Sequence, residues 1–293
     1  MLATLVIYAY SSFAASWGPG PEIAKRFEKI CQCKVQIVDV RDGGAMLSRL
    51  KLEGDKIQAD VVVGIDETVI GKYKTELKWQ GEFKAFDFGP YAFVYNSKTV
   101  TDPPQSLDDL LDPKWKGQIA VEDPRLSTPG LGFLLWVIRE KGEKGAWHFF
   151  RKFKDQVKVV SPSWDLAYGM FKKGKAKLVF SYWTSPAYHI QEEKNHDFRA
   201  AKFSHGHFSQ REYFVLNSKS KNLDLAKKFS EFFLGEEAQG LIPLKNFMYP
   251  VNKSVKLTPA FEELGAVQVL KSFTDDELKK INEWLKNWRE IFS

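Results

Sequence analysis

The first third of the chain alternates β-prone runs with helical ones. Leu2 to Tyr10 reads as a strand, Pro21 to Ile30 as an amphipathic helix and Lys34 to Val40 as a second strand. Gly44 to Glu53 reads as a helix and Ala59 to Ile65 as a third strand. This order predicts a largely parallel sheet with helices on both faces. Ligands of such sheets sit beyond the carboxyl ends of the strands. Three short stretches fall there: Tyr10-Ser-Ser-Phe13 with Trp17-Gly-Pro-Gly20, then Asp42-Gly-Gly44, then Asp66. Trp17 reads as a lid or as a core residue with one wet edge, the core being the favoured reading.

A second cycle follows. Phe86 to Tyr95 reads as an extended crossing segment, and Asp102-Pro-Pro-Gln-Ser106 as a turn. Gly117 to Val121 and Lys177 to Tyr182 read as strands, and Pro129 to Glu140 and Ala146 to Phe153 as helices. Phe208 to Leu216 reads as a return crossing. Leu223 to Leu234 and Asp275 to Ile291 carry the i, i+3, i+4 apolar spacing of amphipathic helices. At 293 residues the chain is long enough for two cores. The expected organisation is α/β, with residues 1–88 and 211–265 as one lobe and 89–210 and 266–293 as the other. Two extended crossings between such lobes would make a hinged interlobe cleft that closes on a small molecule.

The composition excludes several classes. The formal net charge is +6, but the lysines are interleaved with acids, as in Lys144 to Lys158 and Lys271 to Lys286, which marks solvated helix faces. No basic block is dense enough to predict a nucleic-acid partner. No run approaches the roughly 20 apolar residues of a membrane helix. Met1 to Tyr10 has no charged n-region and no cleavage site, so an exported form would already have lost its signal peptide. The two cysteines, Cys31 and Cys33, lack the further ligands that a zinc site needs. They are compatible with a disulfide and an oxidising compartment, or with two thiols.

Arg125-Leu-Ser-Thr-Pro-Gly-Leu-Gly-Phe133 opens a long apolar helix. Ser127 or Thr128 suits an N-cap and Pro129 the first turn. The same residue types suit an anion cradle, in which free N–H groups and the helix dipole hold a phosphate or carboxylate and glycines let it approach the backbone. On this stretch both readings stand.

Seven motifs in order carry a resemblance over nearly the whole chain. They are Tyr8-Ala-Tyr-Ser-Ser-Phe-Ala-Ala-Ser-Trp-Gly-Pro-Gly-Pro21, Cys31-Gln-Cys33, Ala59-Asp-Val-Val-Val-Gly64, Pro103-Pro-Gln-Ser-Leu107, Asp123-Pro-Arg-Leu-Ser-Thr-Pro-Gly-Leu-Gly132, Ser181-Tyr-Trp-Thr-Ser-Pro-Ala-Tyr-His-Ile190 and Asn246-Phe-Met-Tyr-Pro-Val251. With them the chain resembles the thiamine-binding receptors of ABC transporters, within the type 2 extracytoplasmic solute-binding proteins. The resemblance implies a two-lobe periplasmic-binding-protein type II fold. It also implies a monomeric receptor outside the cytoplasm that takes up thiamine, and its mono- and diphosphate, and delivers it to a membrane permease.

The resemblance also assigns residues. Tyr10 and Tyr188 match the positions that sandwich the aminopyrimidine. Phe247 stands where tryptophan is usual beside the thiazolium; it keeps a π face but is the weaker cation partner. Ser127 and Thr128 match contacts to the hydroxyethyl or phosphate tail, which favours the cradle reading. Asp42 and Gly43 match further contacts, as do Trp164 and the run Tyr182, Trp183, Thr184 and Ser185. Trp183 replaces a smaller polar residue, which implies a role through its backbone, and Ser11 replaces an acid.

Two rivals carry less. Thiaminase I shares the general fold and attacks thiamine with a cysteine. Here both cysteines follow the first helix and precede the second strand, at the end of the sheet away from the ligand, so no enzyme and no catalytic residue is expected. Ferric receptors of this class use an adjacent Tyr-Tyr pair, which the sequence lacks. His205-Gly-His207 has metal-compatible spacing without a third ligand, so neither a metal nor a cofactor is expected.

Overall fold

The computed structural model describes residues 2–41, 43–77 and 81–293, apart from the side chains of Lys72, Thr75 and Glu76. In chain order its elements are β1 (Thr4–Ala9), α1 (Ser11–Ala14), α2 (Pro19–Cys31), β2 (Lys34–Asp39), α3 (Gly43–Glu53), β3 (Val61–Asp66), α4 (Ile70–Glu76) and β4 (Phe83–Asn96). Next come β5 (Ile119–Glu122), α5 (Thr128–Phe153), β6 (Val157–Ser161), α6 (Trp164–Lys172), β7 (Leu178–Tyr182), α7 (Ser185–Glu193), β8 (Phe198–Ala200) and β9 (Ser209–Leu216). The chain ends with α8 (Leu223–Leu234), α9 (Glu236–Gln239), β10 (Tyr249–Pro250), α10 (Pro259–Leu264), α11 (Asp275–Leu278) and α12 (Ile281–Phe292). It divides into two α/β units, residues 1–88 with 211–259 and residues 89–210 with 260–293. It passes between them inside β4, inside β9 and at Pro259, a few residues before the break expected at 265.

In the first unit β1 pairs in parallel with β2 and β3, and β3 pairs antiparallel with β9. Every residue of β3 is buried, as expected of a β-branched run covered on both faces. On one face Tyr8, Met46, Leu50 and Val62 form a cluster with Tyr73 and Val215. Elsewhere in this core Phe13, Phe86, Phe214 and Phe233 pack with ring centroids 5.1 to 6.2 Å apart. Helix α2 starts on Pro19, where the missing N–H costs nothing, and stops at Gln32 in the left-handed region. Cys31 and Cys33 flank that stop and form a disulfide.

In the second unit β5 pairs in parallel with β6 and β7, and β4 pairs antiparallel with β7 and β8. Phe93, Phe133, Phe153 and Phe180 fill one side of this sheet, while Val94, Ala120, Ala167 and Phe171 fill another cluster. Elements β6, α6 and α7 were absent from the expected pattern. The two helices expected over 129–140 and 146–153 form α5, interrupted at Gly142 (φ 68°, ψ 167°). The helix expected over 275–291 is α11 and α12, with a capping box from Thr274 to Glu277 opening the first.

Candidate functional site

In the first unit β1, β2 and β3 run in parallel, so Tyr10, Gly43 and Asp66 emerge at the same carboxyl edge. Tyr10 is half-buried at the N-cap of α1. Its ring lies over Gly64, where a Cβ would stand 2.1 Å from Tyr10 Cδ1. Gly64 itself sits at φ +94° in the irregular stretch of β3, a conformation glycine adopts without penalty. The Tyr10 hydroxyl donates to Glu212 Oε2 at 3.0 Å and accepts from Asn246 Nδ2 at 2.9 Å. Asn246 Nδ2 also lies 2.6 Å from Asp87 Oδ2.

Asp87 is fully buried and Glu212 nearly so. Burial, followed by the charge and hydrogen bond of Glu212, raises the Asp87 pKa far above the carboxylate range. Two carboxyl groups buried this close resist being ionised together. Asp66 is also buried; desolvation raises its pKa to about 7, while bonds from Thr68 work the other way. Phe247 follows the turn Ile242–Asn246 at φ 54°, half-buried, directly after the Asn246 that holds Tyr10. Gly43 is the first residue of α3, and Asp42 lies outside the described residues. Ser11, expected to leave an acid missing, holds Asp39 Oδ1 at 2.8 Å, so a carboxylate is present beside it. Trp17 is 55% exposed, which corrects its reading as a core residue.

In the second unit the parallel strands β5, β6 and β7 lead directly into α5, α6 and α7. Three helix N-termini, with their unpaired first-turn N–H groups, therefore open at one sheet edge. Ser127 has the extended backbone of an N-cap, but its side chain makes no capping bond. Its Oγ is buried with no hydrogen-bond partner, and the same holds for Thr184 Oγ1. Thr128 is half-buried in the first turn of α5.

The glycines of this turn serve packing. A Cβ on Gly130 would stand 2.6 Å from Glu122 O, and one on Gly132 would stand 2.2 Å from the Tyr91 ring. They let α5 approach β5 and Tyr91.

Trp164 opens α6. Its Nε1 donates to Ser181 Oγ at 2.8 Å, and its ring stacks on Tyr168 with centroids 5.0 Å apart. The Tyr182 ring stacks on Tyr91 at 5.2 Å, and both hydroxyls donate to Gln210 Oε1, at 2.6 and 2.9 Å. Ser185 Oγ accepts the Tyr182 N–H at 3.2 Å and lies 2.7 Å from Ser181 Oγ. Tyr188 is half-buried, with Lys172 Nζ 5.0 Å from its ring centroid. Trp183 points the other way: its ring packs 5.5 Å from His207, its Nε1 donates to Gly265 O, and its N–H goes to Pro90 O. His207 is buried with Nδ1 on Tyr91 O, whereas His205 is exposed beside Glu140, so the two do not converge. No group of three or more metal-ligating side chains occurs among the described residues.

Sequence reasoning missed Asp87, Glu212 and Asn246 behind Tyr10, and Ser181, Tyr168 and His189 behind Trp164. Asn246 and His189 are direct neighbours of Phe247 and Tyr188 in the quoted motifs. The i, i+4 spacing of His189 and Glu193 was the other available signal.

Residues 49–281 match the family model described as bacterial extracellular solute-binding protein. The chain is 39% identical to the thiamine-binding periplasmic protein of Escherichia coli (strain K12), covering 99% of this chain and 93% of that one. It is 39% identical to the protein of the same name from Brucella abortus biovar 1 (strain 9-941), over 96% and 91% of the two chains. A solved structure described as a periplasmic thiamin binding protein superposes with a TM-score of 0.94 at 38% identity, covering 100% of this chain and 97% of that one.

Proposed function

The chain belongs to the bacterial extracellular solute-binding proteins, and from that premise we propose that it is an extracytoplasmic receptor that binds thiamine and delivers it to an ABC permease. The observation that carries this reading is the nearly full-length likeness to thiamine-binding periplasmic proteins. The chemistry of each unit agrees with it. In the first, Tyr10 offers a ring for the aminopyrimidine and Phe247 a π face for the thiazolium. Gly43 offers a backbone N–H beside Asp42. Behind Tyr10 stand the acidic groups Glu212, which accepts from its hydroxyl, and Asp87.

In the second unit Tyr188 and Trp164 are aromatic plates, and Tyr182 orders the turn that follows β7. Ser127, Thr128, Thr184 and Ser185 stand at helix N-termini, where a hydroxyl or phosphate tail finds donors. The unpartnered Ser127 and Thr184 hydroxyls support that use. Trp183 contributes through its main chain, since its ring and N–H are engaged inside the unit. The protein acts as a monomer in the periplasm, without cofactor, metal or nucleic acid, and performs no turnover. The paired cysteines suit an oxidising compartment and leave no thiolate to attack thiamine.

Titration calorimetry with thiamine, its monophosphate and its diphosphate, with choline and a free pyrimidine as controls, tests the assignment. A ligand that binds only the native state at a hundred times its Kd adds about 2.7 kcal/mol of stability. No thermal shift at saturating thiamine would sink the reading.

A further inference from the structure

In the first unit two side chains hold the hydroxyl of Tyr10, and a third holds one of them. The hydroxyl donates to Glu212 Oε2 at 3.0 Å and accepts from Asn246 Nδ2 at 2.9 Å; Asn246 Oδ1 lies 3.2 Å from the same oxygen. Asn246 Nδ2 also donates to Asp87 Oδ2 at 2.6 Å. Asp87 is fully buried and Glu212 nearly so, whereas Tyr10 and Asn246 are half-buried. The anchor is itself held. Just past Asn246, Tyr249 and Pro250 pair with Phe88 and Asp87 of β4.

These bonds act on one torsion of Tyr10. The hydroxyl lies on the axis about which the ring turns at χ2, so bonds at that atom leave this rotation free. They fix χ1 instead, because a change of χ1 carries the hydroxyl away from Glu212 and Asn246 together. The plane of the ring is set from below, where it lies against Gly64, and from the side by Phe13, with centroids 5.7 Å apart. Burial, then the charges of Glu212 and Asp87, raise the Tyr10 pKa well above the ordinary tyrosine value, so the hydroxyl keeps its hydrogen at neutral pH. An aromatic plate on a half-exposed turn that lacked such ties would have to be ordered by its ligand, and affinity would fall by that cost.

We propose that Asn246, Asp87 and Glu212 are positioning residues of the binding site: they fix χ1 of Tyr10 before the ligand arrives, Asp87 acting through Asn246. The proposal rests on the assignment of Tyr10 to the ligand made above. It gives the three side chains a function in binding that is separate from any contact with thiamine. Its cost when lost falls on every ligand that shares the pyrimidine ring, whatever its tail carries.

NMR of the ligand-free protein should show the Tyr10 Hα–Hβ couplings of a single χ1 rotamer, and N246A should average them. Averaged couplings in the wild type overturn the proposal whatever the ligand is. By calorimetry N246A and Y10F should each weaken thiamine about 3- to 10-fold, the scale of ordering one side chain on binding. Thiamine monophosphate and diphosphate should weaken by the same factor. The double variant should lose no more than about 2-fold beyond Y10F, since both changes remove the same bond. D87N, whose amide can still bond to Asn246, should weaken binding less than D87L does, and E212Q less than E212A. Losses that multiply in the double variant, wild-type affinity in N246A, or equal losses in D87N and D87L overturn the proposal. Circular dichroism keeps unfolding separate from these effects. If N246A does not fold, the wild-type couplings and the Asp87 pair decide. A wild-type protein that binds no thiamine brings down the functional reading and this proposal with it, whereas averaged wild-type couplings bring down the proposal alone.

Discussion

Replacing Ser127 by alanine should move stability and affinity in opposite directions. An ordinary serine N-cap contributes about 0.5–2 kcal/mol, and its removal destabilises the helix. Here the backbone of Ser127 has the N-cap conformation, yet Oγ caps nothing and is buried without a partner. A buried hydroxyl that has given up water without a replacement bond costs about 1–3 kcal/mol. Removing it relieves that cost, partly offset by the small void left by one oxygen atom. The ligand-free S127A protein should therefore be more stable by about 0.5–1 kcal/mol, a net of those two estimates. Binding should show the reverse. A hydroxyl donating to phosphate makes a charge-assisted bond of about 1.5–3 kcal/mol. Thiamine monophosphate and diphosphate should weaken by roughly that amount, and free thiamine by less. Adding Thr128→Ala should widen the gap between the phosphorylated ligands and thiamine. Thermal melts of the ligand-free protein and calorimetric titration with the three ligands read both quantities. The reasoning is refuted if S127A melts lower by the amount of a lost cap, or if the double variant weakens all three ligands equally.

Other perturbations follow from the same geometry. Gly64→Ala forces the Tyr10 ring back by more than an ångström and strains a positive φ, so it should cost about 2–4 kcal/mol of stability and most of the thiamine affinity; a melt and titration like wild type would refute the packing argument. Asp66, with its pKa raised from 3.8 to about 7, makes the native state progressively less stable as pH rises from about 4 to 7. Asp66→Asn should therefore be more stable than wild type at pH 8 by about 2–4 kcal/mol and lose that advantage near pH 4, as read by denaturant unfolding at several pH values. Phe247→Trp should tighten thiamine binding by about 0.5–1 kcal/mol and leave a neutral pyrimidine unaffected, since tryptophan is the better cation partner. Reducing the Cys31–Cys33 disulfide closes no thiolate onto the ligand; it should lower stability by about 1–2 kcal/mol and leave the thiamine Kd unchanged by calorimetry.

What the sequence by itself determined is the part carried by local periodicity. The β-branched run Val61-Val62-Val63 marks a strand covered on both faces, and the amphipathic spacing of α2 and α8 shows which faces they bury. Those elements in order place Tyr10 at the carboxyl edge of a parallel sheet. Only the tertiary structure decided what each side chain there is bonded to. Tyr10 is held by Glu212 and Asn246, more than two hundred residues along the chain, and no local pattern encodes such a pair. Trp17 and Trp183 have the same side chain, yet one is exposed and the other packs on His207, because burial depends on what folds over a residue. The sequence shows that Gly130 and Gly132 open a helix; that they let it approach Glu122 and Tyr91 is visible only in the fold. Ser127 is a helix cap by spacing alone; that its hydroxyl caps nothing depends on the side chains and backbone that the rest of the fold brings around it.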